Sequence, residues 1–469
     1  MGSASLPRLI TEFAIPAIFS VMLNAAYNII DSIFLGQAMG EIGLSTATVA
    51  NPIMVLFLAF GMLVGAGGNA LAALQLGSGN RVSAEKVLGN TVVLSIILWI
   101  IVMALATIPA TMDWMLDLAA SPDEIRPYAA SFIRILSFGF ILNSIGFGVN
   151  NFIRTAGAPN RALLTMLLGT VFCVLFNYIF VIVLNWGVEG SALATICGQG
   201  VACASVLYFF IFTKNVPLKL HLRYMKPSLS LMGAICALGL ASFAIQSGAA
   251  IVSVVTNHLL AEYAITGGLT SAEAFATIGV VQRITMFIFM PILGCSIAIQ
   301  PLLGFNYGAH KVDRVRKTLW LGIAGATVIS TVVWLVILIW AEPIVALFGI
   351  EEELLGFTAF ALRVMASMMP MIGFNCLGSN YFQSTGQPAK SIILSLTRQI
   401  LFLVPLMFVL PLILPSMIPS LTALDALYFA SPVSDVISTV TVAVFVWWEM
   451  RRLKKLESGE IRFKEFVKE

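Results

Sequence analysis

Charge is what this 469-residue sequence has least of: Asp, Glu, Lys and Arg make up 10% of it, against 59% hydrophobic residues. Soluble domains carry roughly 25% charged residues, so a water-soluble fold is excluded. The 26 basic and 23 acidic side chains leave a net charge of +3, too little for a nucleic-acid groove. Histidine is down to three residues, His221, His258 and His310, dispersed along the chain, which supplies no cluster for a membrane-embedded metalloenzyme. The six cysteines (Cys173, Cys197, Cys203, Cys236, Cys295, Cys376) sit singly in apolar runs without a C-x-x-C pair. They are expected to be buried small apolar residues and not disulfides or zinc ligands. The first apolar run carries Asp31 and lacks a small-residue cleavage site, so it reads as a membrane span and not as a removable signal.

What is present is apolar sequence in long runs. At about 20 apolar residues per crossing, the chain divides into twelve spans: 13–37, 46–74, 88–112, 128–153, 163–184, 190–212, 231–263, 274–300, 319–340, 357–381, 391–414 and 426–448. Basic residues collect between spans on one side: Arg8, Arg81, Lys86, Arg154, Arg161, the run 214–226, the cluster 311–317, Lys390 and the stretch from Arg451. The other side holds Arg126 and most of the acids, among them Glu41, Asp113, Asp117, Glu189, Glu342 and Asp425. Cytoplasmic loops are the basic ones, so both termini are expected in the cytoplasm.

The chain also repeats itself. Setting Gly157 on Gly386 aligns 128–161 with 357–390, with identities at Ala130/Ala359, Arg134/Arg363, Asn151/Asn380 and Pro159/Pro388. A second match sets Gly77 on Gly308 and Lys86 on Lys317. Six spans per repeat give both halves the same orientation, related by an axis along the membrane normal. The expected organisation is an N-terminal bundle (1–213), a linker loop (214–228), a C-terminal bundle (229–450) and a charged tail (451–469). A cavity between two such bundles suits a carrier.

Charged residues inside a membrane cost about 2.5 to 3.5 kcal/mol each on insertion scales and mark candidate sites. Asp31 lies about 9 Å below the outer end of the first span at 1.5 Å per residue. Asn177 in the fifth span and Thr195 in the sixth reach a similar depth, and Tyr27 shares the helix face of Asp31. A carboxylate, an amide and hydroxyls can hold Na⁺, or the carboxylate alone a proton; the competing reading for Asp31 is a structural hydrogen bond. Pro16 removes an intrahelical hydrogen bond and permits a bend in the same span. Arg398 and Asp435, in the eleventh and twelfth spans, are expected to form a structural ion pair. Arg283 either lines the cavity or is satisfied by backbone carbonyls, and Asn257 with His258 is a weaker candidate for a second polar site, since a lone His near a helix end is usually just hydrogen-bonded. The 20 Met and 32 Phe residues suit a soft, adaptable cavity.

These features come with motifs in a fixed order: IP at Ile15, YNIIDSIFLG at Tyr27, ALQLGSGN at Ala73, RTAGAPNR at Arg154, GSALAT at Gly190, NYGAH at Asn306, STGQPAK at Ser384, LTRQILFLVPL and SPVSD. In order, spacing and duplication they resemble the multidrug and toxic compound extrusion (MATE) antiporters, nearest to the branch of damage-inducible and small multidrug efflux pumps of bacteria. The resemblance implies two V-shaped bundles of six helices in the plasma membrane, with export of amphipathic, mostly cationic compounds driven by Na⁺ or H⁺. It implies a cation site at Asp31, Asn177 and Thr195, with Tyr27 and Pro16 alongside and Ser191 contributing a backbone carbonyl. It implies no cofactor and no protein partner, a monomer being sufficient. Many relatives carry a second carboxylate at the position of Val181, four residues after Asn177; its loss tilts the expectation toward protons. A lipid-linked precursor flippase of the same superfamily is the alternative, and a membrane enzyme a more distant one.

Overall fold

In the computed structural model the protein is helical throughout the described residues, which are 2, 4–119, 121, 123–214, 216–264, 268, 270–348 and 352–460. Some side chains inside helices also lie outside the description: 25, 27–29, 31, 32, 36–38, 40, 41, 44, 45, 48, 118, 261, 271, 272 and 276. Twelve stretches are long and apolar enough to cross a membrane: α1 Leu6–Asn24, α2 Val49–Gly77, α3 Arg81–Thr107, α4 Arg126–Thr155, α5 Pro159–Val183, α6 Gly187–Phe212, α7 Leu229–Leu260, α8 Glu273–Gly308, α9 Val312–Ala346, α10 Glu352–Ser384, α11 Pro388–Met417 and α12 Ala423–Glu457.

Local sequence sets where these helices begin. Proline, whose fixed φ suits the first turn, opens α1, α4, α5 and α11. Asn80 and Ser228 accept from the Ser83 and Leu231 amides at the starts of α3 and α7. Thr270 with Glu273, and Thr422 with Asp425, form reciprocal capping boxes. The first helix begins at Leu6, earlier than the apolar run suggests, because Pro7 nucleates the turn and Leu9 and Phe13 are buried against Ala298 and Leu302. Helical backbone then continues to Gly77, folding back on itself: a Cβ at Gly43 would overlap the carbonyl of Leu35, about 12 Å away in a straight helix. At the other end α12 runs on through Glu457, so part of the basic stretch read as a tail is helix. Lys454 and Lys455 lie in its last turn, where the helix dipole favours cations.

The two halves, α1–α6 and α7–α12, repeat one another in backbone detail. Gly79 and His310 both take positive φ (81° and 56°), as do Gly157 and Gly386 (86° and 73°). The repeat axis is visible in their contacts. A Cβ at Gly77 would overlap the Phe305 carbonyl oxygen and one at Gly308 that of Leu74, the same contact written twice. Asn69 Nδ2 donates to Gln300 Oε1 at 3.3 Å, again between equivalent positions.

The cores show how the halves meet. Toward the basic face, buried apolar clusters cross from one half to the other: Ile235 and Leu238 of α7 join the core of α2, α3 and α6, while Leu74 of α2 joins that of α8, α9 and α12. Toward the opposite face, one cluster (Leu35 to Ala192) belongs to the first half and another (Leu259 to Tyr428) to the second. Among the described residues, the halves are thus zipped together at the basic face and separately cored at the acidic face. That is a V whose cleft opens on the acidic side.

Candidate cation site

The site residues of the first half come from α5 and α6, which pack closely because small residues face each other. A Cβ at Gly198 would come within 2.5 Å of Cys173 Cβ, one at Gly169 within 2.8 Å of Ala202 Cβ, and one at Gly190 within 3.0 Å of the Phe180 carbonyl. In this antiparallel register each step up α5 is a step down α6, which sets Asn177 opposite 193–194, between Ser191 and Thr195.

Asn177 is fully buried, and its Nδ2 donates back to the Cys173 carbonyl at 3.2 Å and to Cys173 Sγ at 3.3 Å. That turns Oδ1 away from its own helix, where it is buried without a partner; Thr195 Oγ1 is buried without one too. Two bare acceptor oxygens in an apolar bundle each cost about 1 to 3 kcal/mol, which a ligand offering positive charge would recover. Immediately after Asn177 the helix loosens into a π turn over Tyr178–Val183. Such turns misalign backbone carbonyls and recur at functional sites. Val181 is fully buried within it, so no second carboxylate stands there. Ser191 is buried on the facing helix, and Pro16 lies buried inside α1 with its carbonyl accepting from Ser20 Oγ at 2.7 Å. The side chains of Tyr27 and Asp31 lie outside the described residues; their backbone belongs to the helix continuing from α1.

Comparison with known proteins gives the chain its class. The MatE family model matches residues 16–179 and 240–409, one match in each half. The chain belongs to the MatE family. It is 26% identical over 411 residues to the multidrug export protein MepA of Staphylococcus haemolyticus, covering 87% of each. Among solved structures it is 30% identical to the MATE multidrug transporter DinF-BH, at a TM-score of 0.85 and with 95% and 96% of the two chains covered. A MOP superfamily transporter from Pyrococcus furiosus, 23% identical, shares the fold over 97% of both chains at a TM-score of 0.86. As a MatE protein this chain is a multi-pass membrane transporter and not an enzyme, and its substrates are small molecules.

The other sequence candidates fall elsewhere. Arg283, Asn257 and His258 are all exposed. Gly294, eleven residues after Arg283, faces Ile18 across the interface. Arg398 Nε donates to Asp435 Oδ1 at 2.7 Å. Arg134 is exposed, whereas Arg363 pairs with Glu342 at 3.5 Å. Three of the cysteines, Cys197, Cys236 and Cys376, are only half-buried, Cys236 and Cys376 packing against the edges of the apolar cores.

Two polar groups escaped sequence reasoning. Glu449, one residue past the last span read from the sequence, is fully buried and accepts from Gln387 at 2.9 Å, Lys390 at 3.1 Å and Arg452 at 2.9 Å. Asn69 bridges Thr155 Oγ1 (2.6 Å) and Gln300 at the repeat axis; the spacing of 231 between Asn69 and Gln300, the same as in the Gly77/Gly308 match, was the available signal.

Proposed function

We propose that this MatE protein is a proton-coupled antiporter that exports amphipathic, mostly cationic compounds by alternating access between its two halves. The observation that carries the reading is the pair of buried, unpartnered oxygens, Asn177 Oδ1 and Thr195 Oγ1. With the Asp31 carboxylate, the Tyr27 hydroxyl and the Ser191 carbonyl they make a site for one small cation. A dehydrated Na⁺ is held better by two carboxylates than by one; with valine at 181 the proton is the better fit, Na⁺ the second. The names of relatives, multidrug export protein MepA and the MATE multidrug transporter DinF-BH, support drugs as cargo.

Protons from the acidic face reach Asp31 while the cleft is open there. Neutralising Asp31 favours bending of α1 at Pro16, which shrinks the cavity of the first half and expels substrate. The halves then rock, and the proton leaves on the basic face, which the positive-inside bias makes cytoplasmic. The protein acts in the plasma membrane of a bacterium as a monomer, since both halves of the cleft come from one chain. In proteoliposomes, a fluorescent cationic dye is expected to move against its gradient when a pH gradient alone is imposed, and Asp31→Asn to abolish this with the protein still monodisperse. Dye movement under a Na⁺ gradient alone refutes proton coupling. Uphill efflux by Asp31→Asn refutes the site.

A further inference from the structure

The second half holds its own polar group inside the membrane, and the repeat does not account for it. Asp435 lies twelve residues past the start of α12, about 18 Å from that end. Arg398 lies in the π turn Thr397–Leu403 of α11. One repeat earlier, at 167–169 and 204–206, there is no charged residue, so the shared scaffold does not require the pair.

Its surroundings are the interior of the bundle. The Arg398 guanidinium stands 5.7 Å from the Phe289 ring centre on α8, and Ser434 Oγ of α12 donates to the Arg398 carbonyl at 2.6 Å. Gln399 turns toward α7, where a Cβ at Gly248 would meet its Oε1 at 2.5 Å. Cys376 of α10 is near enough to feel both charges. Helices α7, α8, α10 and α12 therefore enclose Arg398, yet a quarter of its side chain stays accessible.

A bidentate brace would occupy both carboxylate oxygens. Here Arg398 Nε takes Oδ1 alone, while Oδ2 is buried without a partner. The same holds for Gln399 Oε1, Ser247 Oγ beside Gly248, and the Thr439 and Tyr428 hydroxyls one turn below and two turns above Asp435 on α12. The charged or titratable groups the described residues bring against Asp435 are Arg398 from α11 and the Cys376 thiol from α10; α8 brings Phe289, and Tyr428 belongs to its own helix.

We infer that Asp435 is a second proton-binding site, with Arg398 as the charge it masks. Oδ2 has essentially no accessible surface, so the occupant that fits is a proton; a metal cation would lack room. One proton arrives from water, an O–H bond forms at Oδ2, and the pair passes from net zero to +1. The Arg398 charge, no longer balanced, lowers the affinity of the cavity for cationic substrate until the same proton leaves. Asp31 and Asp435 would thus couple the two halves to protons by different means.

The inference rests on proton-coupled export of cations, and its test isolates it from that reading. The full chain is purified as Asp31→Asn and its affinity for tetraphenylphosphonium measured from mildly alkaline to mildly acidic pH, by calorimetry. A several-fold loss of affinity on acidification is expected to persist in Asp31→Asn and to vanish on adding Asp435→Asn, which should bind weakly at every pH. Adding Arg398→Gln as well removes the unmasked charge and should restore affinity without pH dependence; this triple variant, free of unpaired charge, also serves if Asp435→Asn does not fold. A flat profile in Asp31→Asn, or one whose slope survives Asp435→Asn, overturns the inference and leaves the Asp31 site untouched. A brace would lower the melting temperature of Asp435→Asn without moving the profile.

Discussion

Substituting Gly239 by alanine tests whether the zipped basic face is one of two alternating states. A Cβ there would overlap the carbonyl oxygen of Leu63 on α2, and backbone cannot rotate out of the way as a side chain can. Carbon and oxygen must recover an ordinary contact of about 3.3 Å, so α7 and α2 must part by on the order of 1 Å where Ile235 and Leu238 are buried in the first half's core. Overpacking of this kind costs about 1 to 3 kcal/mol. The cost falls only on the state in which these helices touch, so the equilibrium should shift about 5- to 150-fold toward the state open at the basic face. The assay is the labelling rate of a cysteine at Leu56, in a background free of native cysteines, by a membrane-impermeant thiol reagent. Leu56 is exposed and lies seven residues from Leu63, on the side of α2 that faces α7. Gly239→Ala should slow labelling from the acidic side at least several-fold and slow dye efflux with it. Wild-type labelling and efflux in a folded Gly239→Ala protein would refute the reasoning, because the contact would then not be part of a gate.

Further expectations follow from other contacts. Thr195→Val removes an unpartnered buried hydroxyl and should raise stability by about 1 kcal/mol, read as a higher melting temperature in detergent, while dye efflux loses its response to the pH gradient. Val181→Asp supplies a second carboxylate one turn past Asn177 and should make efflux respond to Na⁺, measured with a Na⁺ gradient alone in proteoliposomes. Glu449→Gln strips the charge from a buried acceptor of Lys390 and Arg452 and should destabilise the protein by about 2 kcal/mol, checked by thermal melting, with little change in the pH dependence of efflux.

The number of spans and the repeat were legible in the sequence because a bilayer demands long apolar runs. Asn177 and Thr195 were legible for the same reason: a polar residue amid apolar ones stands out. Their common register was not. It depends on Gly169, Gly190 and Gly198 letting α5 and α6 approach, and on the hydrogen bond to Cys173 that turns Oδ1 outward. Glu449 carried no signal of its own in the sequence, because its burial depends on helices from elsewhere closing over it. The pairing of Arg398 with Asp435 follows from adjacency of their spans, yet the bare second oxygen of Asp435 could not be read from sequence.

The sequence by itself determined that the chain is a membrane protein of two repeated halves and which few residues could carry its chemistry, since composition and spacing fix what a bilayer will accept. The tertiary structure decided which face is closed and which polar atoms lack partners. Those depend on contacts between helices far apart in the chain, the overlap of Gly77 with Phe305 and of Gly308 with Leu74, and such contacts exist only once both halves are folded against each other.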